Sequence, residues 1–272
     1  MNPLPLPTAT ASPKWYLLHT QKLLSKQLPN FPIPKEELEA LEAQVEISNL
    51  AALEINKLKY ELQTIICGTG KVSYGDTIQA ATRYLRRSKS SSGMAEEKKS
   101  VKNKETENLC QWIEKQQLWF NNIDMNLFLS QGAEQKVYLN SEKEVLKLND
   151  AIYYTSWIDY FNNLLLNNYF FPDTAYELKG FYKDNDTLYA VVRQEYIKAD
   201  TPTSLEEVKT FMKLNGFINI RNNDYHNPEL GIILEDLHDE NVLTRNSSLF
   251  FIDTVFYIEP SFWQIEKIDK IL

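Results

Sequence analysis

The chain has 272 residues, 43% of them hydrophobic and 24% charged, with a formal net charge of −8 and a pI near 5.1. That size and composition suit one large or two modest globular domains with a real core. The acidic balance argues against a general binder of nucleic acid or of anionic membranes, since either would leave a basic footprint.

Two cysteines, Cys67 and Cys110, are too few for a disulfide framework and lack the spacing of a zinc site; both suit a reducing cytosol. Residues Met1 to Pro13 are Pro-rich, with no basic stretch leading into an apolar core. No apolar run is long enough to span a bilayer, so we expect a cytoplasmic chain without a signal peptide or membrane partner.

In chain order, the first third reads as helical. A helix is expected over roughly Lys14 to Gln27. A longer one follows Pro32 and Pro34, where Leu38, Leu41, Val45, Ala52, Ile55, Leu58 and Leu62 keep an i, i+3, i+4, i+7 stripe until Gly68 and Gly70 stop it. Another holds Ile78, Ala81, Tyr84 and Leu85. Gly68-Thr69-Gly70-Lys71 is not a phosphate loop, because Ile65 stands where the first glycine belongs and Val72 where Ser or Thr belongs. Arg86 to Asn108 is nearly all Ser, Lys and Glu, which predicts a charged flexible linker. The expected division is therefore 1–85 as a helical region, 86–108 as linker and 109–272 as a second domain, which a short helix at Leu109, Trp112, Ile113 and Trp119 opens.

From Leu127 the period becomes that of strands: 127–129, 136–139 and 145–148, the last two separated by the turn Asn140-Ser141-Glu142-Lys143. Trp157, Phe161, Leu164 and Leu165 predict a helix from about Tyr153 to Asn168. Strands Glu177 to Tyr182 and Thr187 to Gln194 flank the turn Asp184-Asn185-Asp186, completing an expected five-stranded sheet. Thr203 or Ser204 caps a further helix that runs to Leu214, before Gly216. The aromatic cluster from Tyr153 to Phe171 has no interleaved basic residues, so it reads as core rather than as a base-stacking platform.

The richest stretch is Glu235-Asp236-Leu237-His238-Asp239-Glu240-Asn241-Val242-Leu243, with Phe251-Ile252-Asp253 a short hairpin further on. An Asp five residues before an Asn lets one loop present a base to a hydroxyl and an amide to a cation. An amide and a carboxylate are hard oxygen donors of the kind Mg2+ accepts, since it keeps the rest of its shell for water and phosphate.

These parts occur in the order of a protein-kinase-like fold. Gln131-Gly132-Ala133-Glu134-Gln135-Lys136-Val137-Tyr138 is similar to the hairpin that covers nucleotide phosphates, with only Gly132 of its three glycines. Val145-Leu146-Lys147 looks like the third-strand lysine motif, Gln194-Glu195-Tyr196-Ile197 resembles a hinge, and the Asp236 and Asp253 motifs resemble the catalytic and metal loops. The Asp-Leu-His run also looks like that of aminoglycoside and choline phosphotransferases. Taken whole, residues 109–257 most resemble the kinase-like domain of polyvalent proteins from bacterial mobile elements and phages.

The resemblance implies an α+β, compact two-lobed fold, with an antiparallel-sheet N-lobe and a small helical C-lobe behind the helical N-terminal region. It implies an ATP- and Mg2+-dependent phosphotransferase acting on a protein hydroxyl, or alternatively on a small molecule, or a non-catalytic pseudokinase. Asp236 would be the catalytic base and Lys147 the phosphate-neutralising cation. Gly132, Val137, Lys147 and the backbone of Glu195 and Ile197 would bind nucleotide, and Asn241 and Asp253 would hold the metal. Departures are also visible: Leu234-Glu235 replaces His-Arg before the base, Thr254-Val255 replaces Phe-Gly after the metal Asp, and the helix after Lys147 offers only Asp159 as an early carboxylate.

Overall fold

The computed structural model describes residues 35–89, 98–132 and 135–264. The helix expected over Lys14 to Gln27 lies outside the described residues. Helix α1 spans Lys35–Cys67 and α2 spans Gly75–Lys89. The first ends in a Schellman turn, with Gly68 left-handed at φ 84° and Thr69 N–H donating to Thr64 O at 2.9 Å. The faces of these helices carrying Leu58, Leu62, Ile65, Ile66, Ile78 and Leu85 are buried.

The described residues of the expected linker are helix. Residues 86–89 finish α2, and α3 spans Lys98–Gln116. Lys and Glu are good helix formers, and α3 needs few apolar residues because polar ones anchor it. Glu105 is 5% exposed and its Oε2 accepts the Trp157 N–H at 2.8 Å. The Lys102 ammonium donates to Ala151 O.

Five antiparallel strands follow: β1 (Phe128–Gln131), β2 (Gln135–Ser141), β3 (Glu144–Asn149), β4 (Glu177–Asp184) and β5 (Thr187–Glu195). They form one five-stranded sheet, as expected, in the order β1-β2-β3-β5-β4. Helix α4 (Trp157–Phe170) packs on one face, where Trp157, Phe161, Leu165, Phe181, Ala190 and Val192 share a core with Ile65, Ile78 and Leu85 of α1 and α2. Ser156 caps α4 by accepting the Asp159 N–H at 3.1 Å, and Glu105 takes the preceding free donor.

The other face carries Tyr138, Leu146, Leu148 and Val191 under Phe120 and Ile123. Cover on both faces leaves Val145 to Asn149 of β3 buried, the polar Lys147 and Asn149 included. The segment covering it pairs with β4 through Phe181 N–H to Leu118 O (2.8 Å) and Phe120 N–H to Phe181 O (2.7 Å). Gly180 permits this approach, since a Cβ there would sit 2.4 Å from Leu118 O.

Beyond β5 the expected small helical lobe is not what forms. After α5 (Leu205–Leu214) come six four-residue strands: β6 (Ile218–Arg221), β7 (Asp224–Asn227), β8 (Ile232–Glu235), β9 (Val242–Arg245), β10 (Ser248–Phe251) and β11 (Val255–Ile258). They make a sheet in the order β11-β8-β7-β6 and a β9–β10 hairpin. Leu234, Phe251 and Phe256 alternate inward and pack with Val208 and Met212 of α5 and Leu62 of α1. No described helix is long and apolar enough to cross a membrane.

Candidate active site

The β9–β10 hairpin solves a spacing problem. Val242 lies opposite Phe251, so the residues just outside the hairpin, Asn241 and Ile252, meet at its open end. Asn241 O accepts the N–H groups of Ile252 (2.9 Å) and Asp253 (3.4 Å). Two of the predicted site residues, Asn241 and Asp253, are thus joined through one backbone carbonyl.

Lys147 reaches the same place from the sheet. It sits in mid-β3 between Val137 and Val192, so these three share one face. At 4% exposure its stem is buried, while Nζ donates to Ile252 O at 2.7 Å and lies 3.9 Å from Asp253 Oδ1. Tyr176 donates its hydroxyl to the same Ile252 carbonyl at 2.9 Å, and its ring lies 5.4 Å from the ammonium. The carboxylate that approaches Lys147 here is Asp253, from the metal-loop motif. The Asp253 carboxylate also accepts from Gln135 Nε2. Gly132, whose N–H donates to Gln135 O at 2.9 Å, belongs to the same corner, and a side chain there would meet open space. Ala133 and Glu134 lie outside the described residues.

Thr254 explains how the chain does without the usual Phe-Gly. It is 1% exposed, and its hydroxyl donates to Asn167 Oδ1 on α4 at 2.8 Å. Asn163 of the same helix accepts the Phe256 N–H at 2.8 Å. A polar seam on an otherwise apolar helix therefore fixes the strand that carries Asp253.

Asp236 follows β8 with a left-handed backbone, φ 68°. The Asn241 amide donates to both Asp236 O and Asp236 Oδ2 at 2.9 Å. His238 Nδ1 accepts the Glu240 N–H at 3.2 Å, and its Nε2 lies 3.1 Å from the Asn241 amide nitrogen and 3.4 Å from Asp236 Oδ1. Both oxygens of the exposed Asp236 carboxylate therefore have a polar neighbour. Leu234, where a His is usual, is 1% exposed and belongs to the core. Glu235 has its carboxyl pushed above the ordinary range, first by burial and then by the neighbouring Asp224 and Asp236 charges.

The expected hinge leads away from the end of β5, which lies inside the sheet. Glu195 pairs with Glu144, three residues along β3 from Lys147, about 10 Å. Tyr196 N–H donates to Lys143 O at 2.8 Å, Ile197 is buried, and the Glu195 carboxylate lies 3.5 Å from Arg245 of β9. The segment after the hinge is tied to β9 by Asp200 N–H to Thr244 O, 3.0 Å. Lys147, Val137, Asn241, Asp253 and Asp236 thus form one contiguous set and Gly132 joins it through Gln135, whereas Glu195 and Ile197 are not brought into contact with it.

Tyr176, Gln135, Asn167 and Asp224 complete this constellation without having been singled out in the sequence. Asp224 closes the turn-like run Asn222-Asn223-Asp224, which was a signal for a turn but not for a contact. An apolar pocket lined by Phe170, Phe171, Phe211, Met212, Phe217 and Phe256 lies apart, inside the second core. Its chemistry suits packing rather than phosphate.

The donor set fits magnesium: one carboxylate and one amide oxygen are enough for a cation that takes most of its ligands from water and phosphate. Among the described residues no group of three or more His, Cys, Asp or Glu side chains could hold a metal by itself. No curated protein and no solved structure matches the chain. The family model for serine/threonine/tyrosine kinases found in polyvalent proteins does, over residues 102–260, which is more than half of the chain and begins within α3. On that match, over strands and loops that bring the kinase-like motifs together, the chain belongs to the family of serine/threonine/tyrosine kinases found in polyvalent proteins.

Proposed function

We propose that this chain is an ATP- and Mg2+-dependent phosphotransferase that moves the γ-phosphate to a hydroxyl, with a protein Ser, Thr or Tyr side chain as acceptor. The observation that supports this best is the meeting of Lys147, Asp253 and Asn241 at the mouth of the β9–β10 hairpin, with Asp236 oriented beside them.

In this reading the five-stranded sheet with α4 forms the nucleotide-facing lobe, and α5 with the small sheets forms the acceptor-facing lobe. Lys147 neutralises the α- and β-phosphates, exchanging part of its contact with Ile252 O for phosphate oxygen. Gly132 N–H and the Val137 side chain cover the nucleotide. The C=O and N–H of one trans peptide point in opposite directions, so Tyr196 N–H on Lys143 turns the Glu195 carbonyl away from β3, where an adenine edge would meet it in this reading. Asn241 and Asp253 hold magnesium, which supplies charge neutralisation across the phosphate chain. Asp236, steadied by His238 and the Asn241 amide, aligns the acceptor hydroxyl and takes its proton. Catalysis is then mostly positioning and electrostatic stabilisation.

Thermal unfolding with Mg-ATP tests the binding half. Ligand at 100 times its Kd adds about 2.7 kcal/mol of stability, and we expect that shift to require magnesium and to vanish in Asp253→Asn. Transfer of labelled γ-phosphate tests the chemistry, with a fall of about 100-fold or more expected for Asp236→Ala. Magnesium-dependent binding without any transfer would instead favour a pseudokinase.

A further inference from the structure

We propose that Asp224 is a positioning residue for phosphoryl transfer, acting as the anchor that holds the Asp236 loop in its working conformation. This rests on the phosphotransferase reading above.

A left-handed backbone at a residue other than glycine costs about 1–2 kcal/mol, so it persists only where the surroundings over-determine it. Asp236 is such a residue, at φ 68°. What determines it comes from the β6–β7 turn. Asp224 Oδ1 accepts the Asp236 N–H at 3.1 Å, and Asn223 O accepts the next one, Leu237 N–H, also at 3.1 Å. Two successive donors of the loop are therefore gripped by two successive residues of one turn. The turn is itself stiffened by the Asn219 amide, which donates to Asn222 O (2.8 Å) and Asp224 O (3.1 Å).

The two residues before Asp236 cannot do this work. Leu234 is committed to the core opposite Tyr225, and Glu235 is held within β8 opposite Val255. A carboxylate accepting a backbone N–H makes a charge-assisted bond, roughly twice as strong as a neutral one. Asp224 makes it despite standing in an acidic neighbourhood with Glu235 and Asp236, where Arg221 offsets part of the repulsion on Glu235.

The bond also fixes direction. Residue 236 is the point where the chain leaves β8, and with its N–H pinned on one side and its carbonyl held by Asn241 on the other, the carboxylate can leave the backbone in only one sense. Release of the N–H frees φ and lets the base swing.

The test compares Asp224→Ala with Asp224→Asn in the full chain, using labelled ATP and scoring γ-phosphate released to water or to the chain itself. Loss of the acceptor is expected to lower kcat about 10- to 100-fold, the scale of a misplacement near 1 Å, with the Mg-ATP KM and the unfolding midpoint little changed. Asn retains an acceptor oxygen and is expected to recover most of the loss. Hydrogen exchange at the Asp236 amide should be fast in the Ala variant and slow in the wild type and the Asn variant, whether or not phosphate moves.

Equal impairment by Ala and Asn, unchanged exchange at Asp236, or a loss that appears in KM and thermal stability rather than kcat would each overturn the proposal. A wild type that binds Mg-ATP but transfers nothing removes the phosphotransferase reading and this inference together. A transferring wild type with an unimpaired Asp224→Ala variant removes this inference alone.

Discussion

Thr254→Val isolates the link between the strand carrying Asp253 and α4. The two side chains have nearly the same shape, so the change opens no cavity and removes one hydroxyl from a site that is 1% exposed. Its partner, Asn167 Oδ1, then loses the donor 2.8 Å away. The amide cannot rescue itself by turning over, because Asn167 Nδ2 already serves Thr174 O at 3.2 Å and rotation would only exchange the orphaned atom. A buried acceptor left without a donor costs about 1–3 kcal/mol. In a chain of this size each kcal/mol moves the unfolding midpoint by about 2–4 °C, so the expected fall is about 2–12 °C. Urea unfolding at fixed pH reads the same quantity through the midpoint at constant slope. A loss below about 0.5 kcal/mol, the range of an indifferent surface change, would falsify the claim that this hydrogen bond fixes the strand.

Two further outcomes follow from the geometry. Glu105→Ala removes the acceptor of the Trp157 N–H and should cost about 1–2 kcal/mol, the scale of a lost helix cap; a value near zero in chemical denaturation would restore the flexible linker that composition suggested. Glu235 has a raised folded-state pKa, so its unfolded form ionises first as pH rises, and the native state loses stability between the ordinary glutamate pKa and the raised one. Glu235→Gln should therefore gain on the wild type as pH climbs through that window and show no such gain in acid; a stability difference that is flat with pH refutes the assignment.

The sheet of five strands was legible because Lys136 to Leu148 and Glu177 to Gln194 carry long, β-branched or aromatic runs between recognisable turns. The helix on it was legible from Trp157, Phe161, Leu164 and Leu165, although its start moved to Trp157 once Ser156 and Glu105 supplied the cap. The order of Lys147, Asp236, Asn241 and Asp253 announced that these residues would meet, and they do. After residue 217 the hairpin leading to Asp253 was legible, but β6, β7 and β11 were not: each is four residues long, too short for more than two alternations, and β7 reads Asp-Tyr-His-Asn. Their pairing is decided by the shared core of Leu234, Phe251 and Phe256, which is a long-range matter. The Lys- and Glu-rich stretch misled because composition counts apolar residues, whereas Glu105 is buried for its carboxylate. Asp224 and Tyr176 act through a single backbone group each, and no pattern in one sequence marks such a contact.

The α1 helix reaches past all of this to the far end of the described chain. Lys59, 4% exposed, donates to the carbonyls of Ser261 (3.1 Å) and Gln264 (3.2 Å), and the Gln63 amide donates to Phe262 O at 2.7 Å. With Leu62, Ile65 and Ile66 beside them, these contacts buckle the two extremes of the fold together like a belt. The segment that carries the family signature begins inside α3, well after that belt starts. Cut out at its signature boundaries, the kinase-like portion would present the bare footprint of two helices to water, so the portable piece of this protein is larger than the recognisable one.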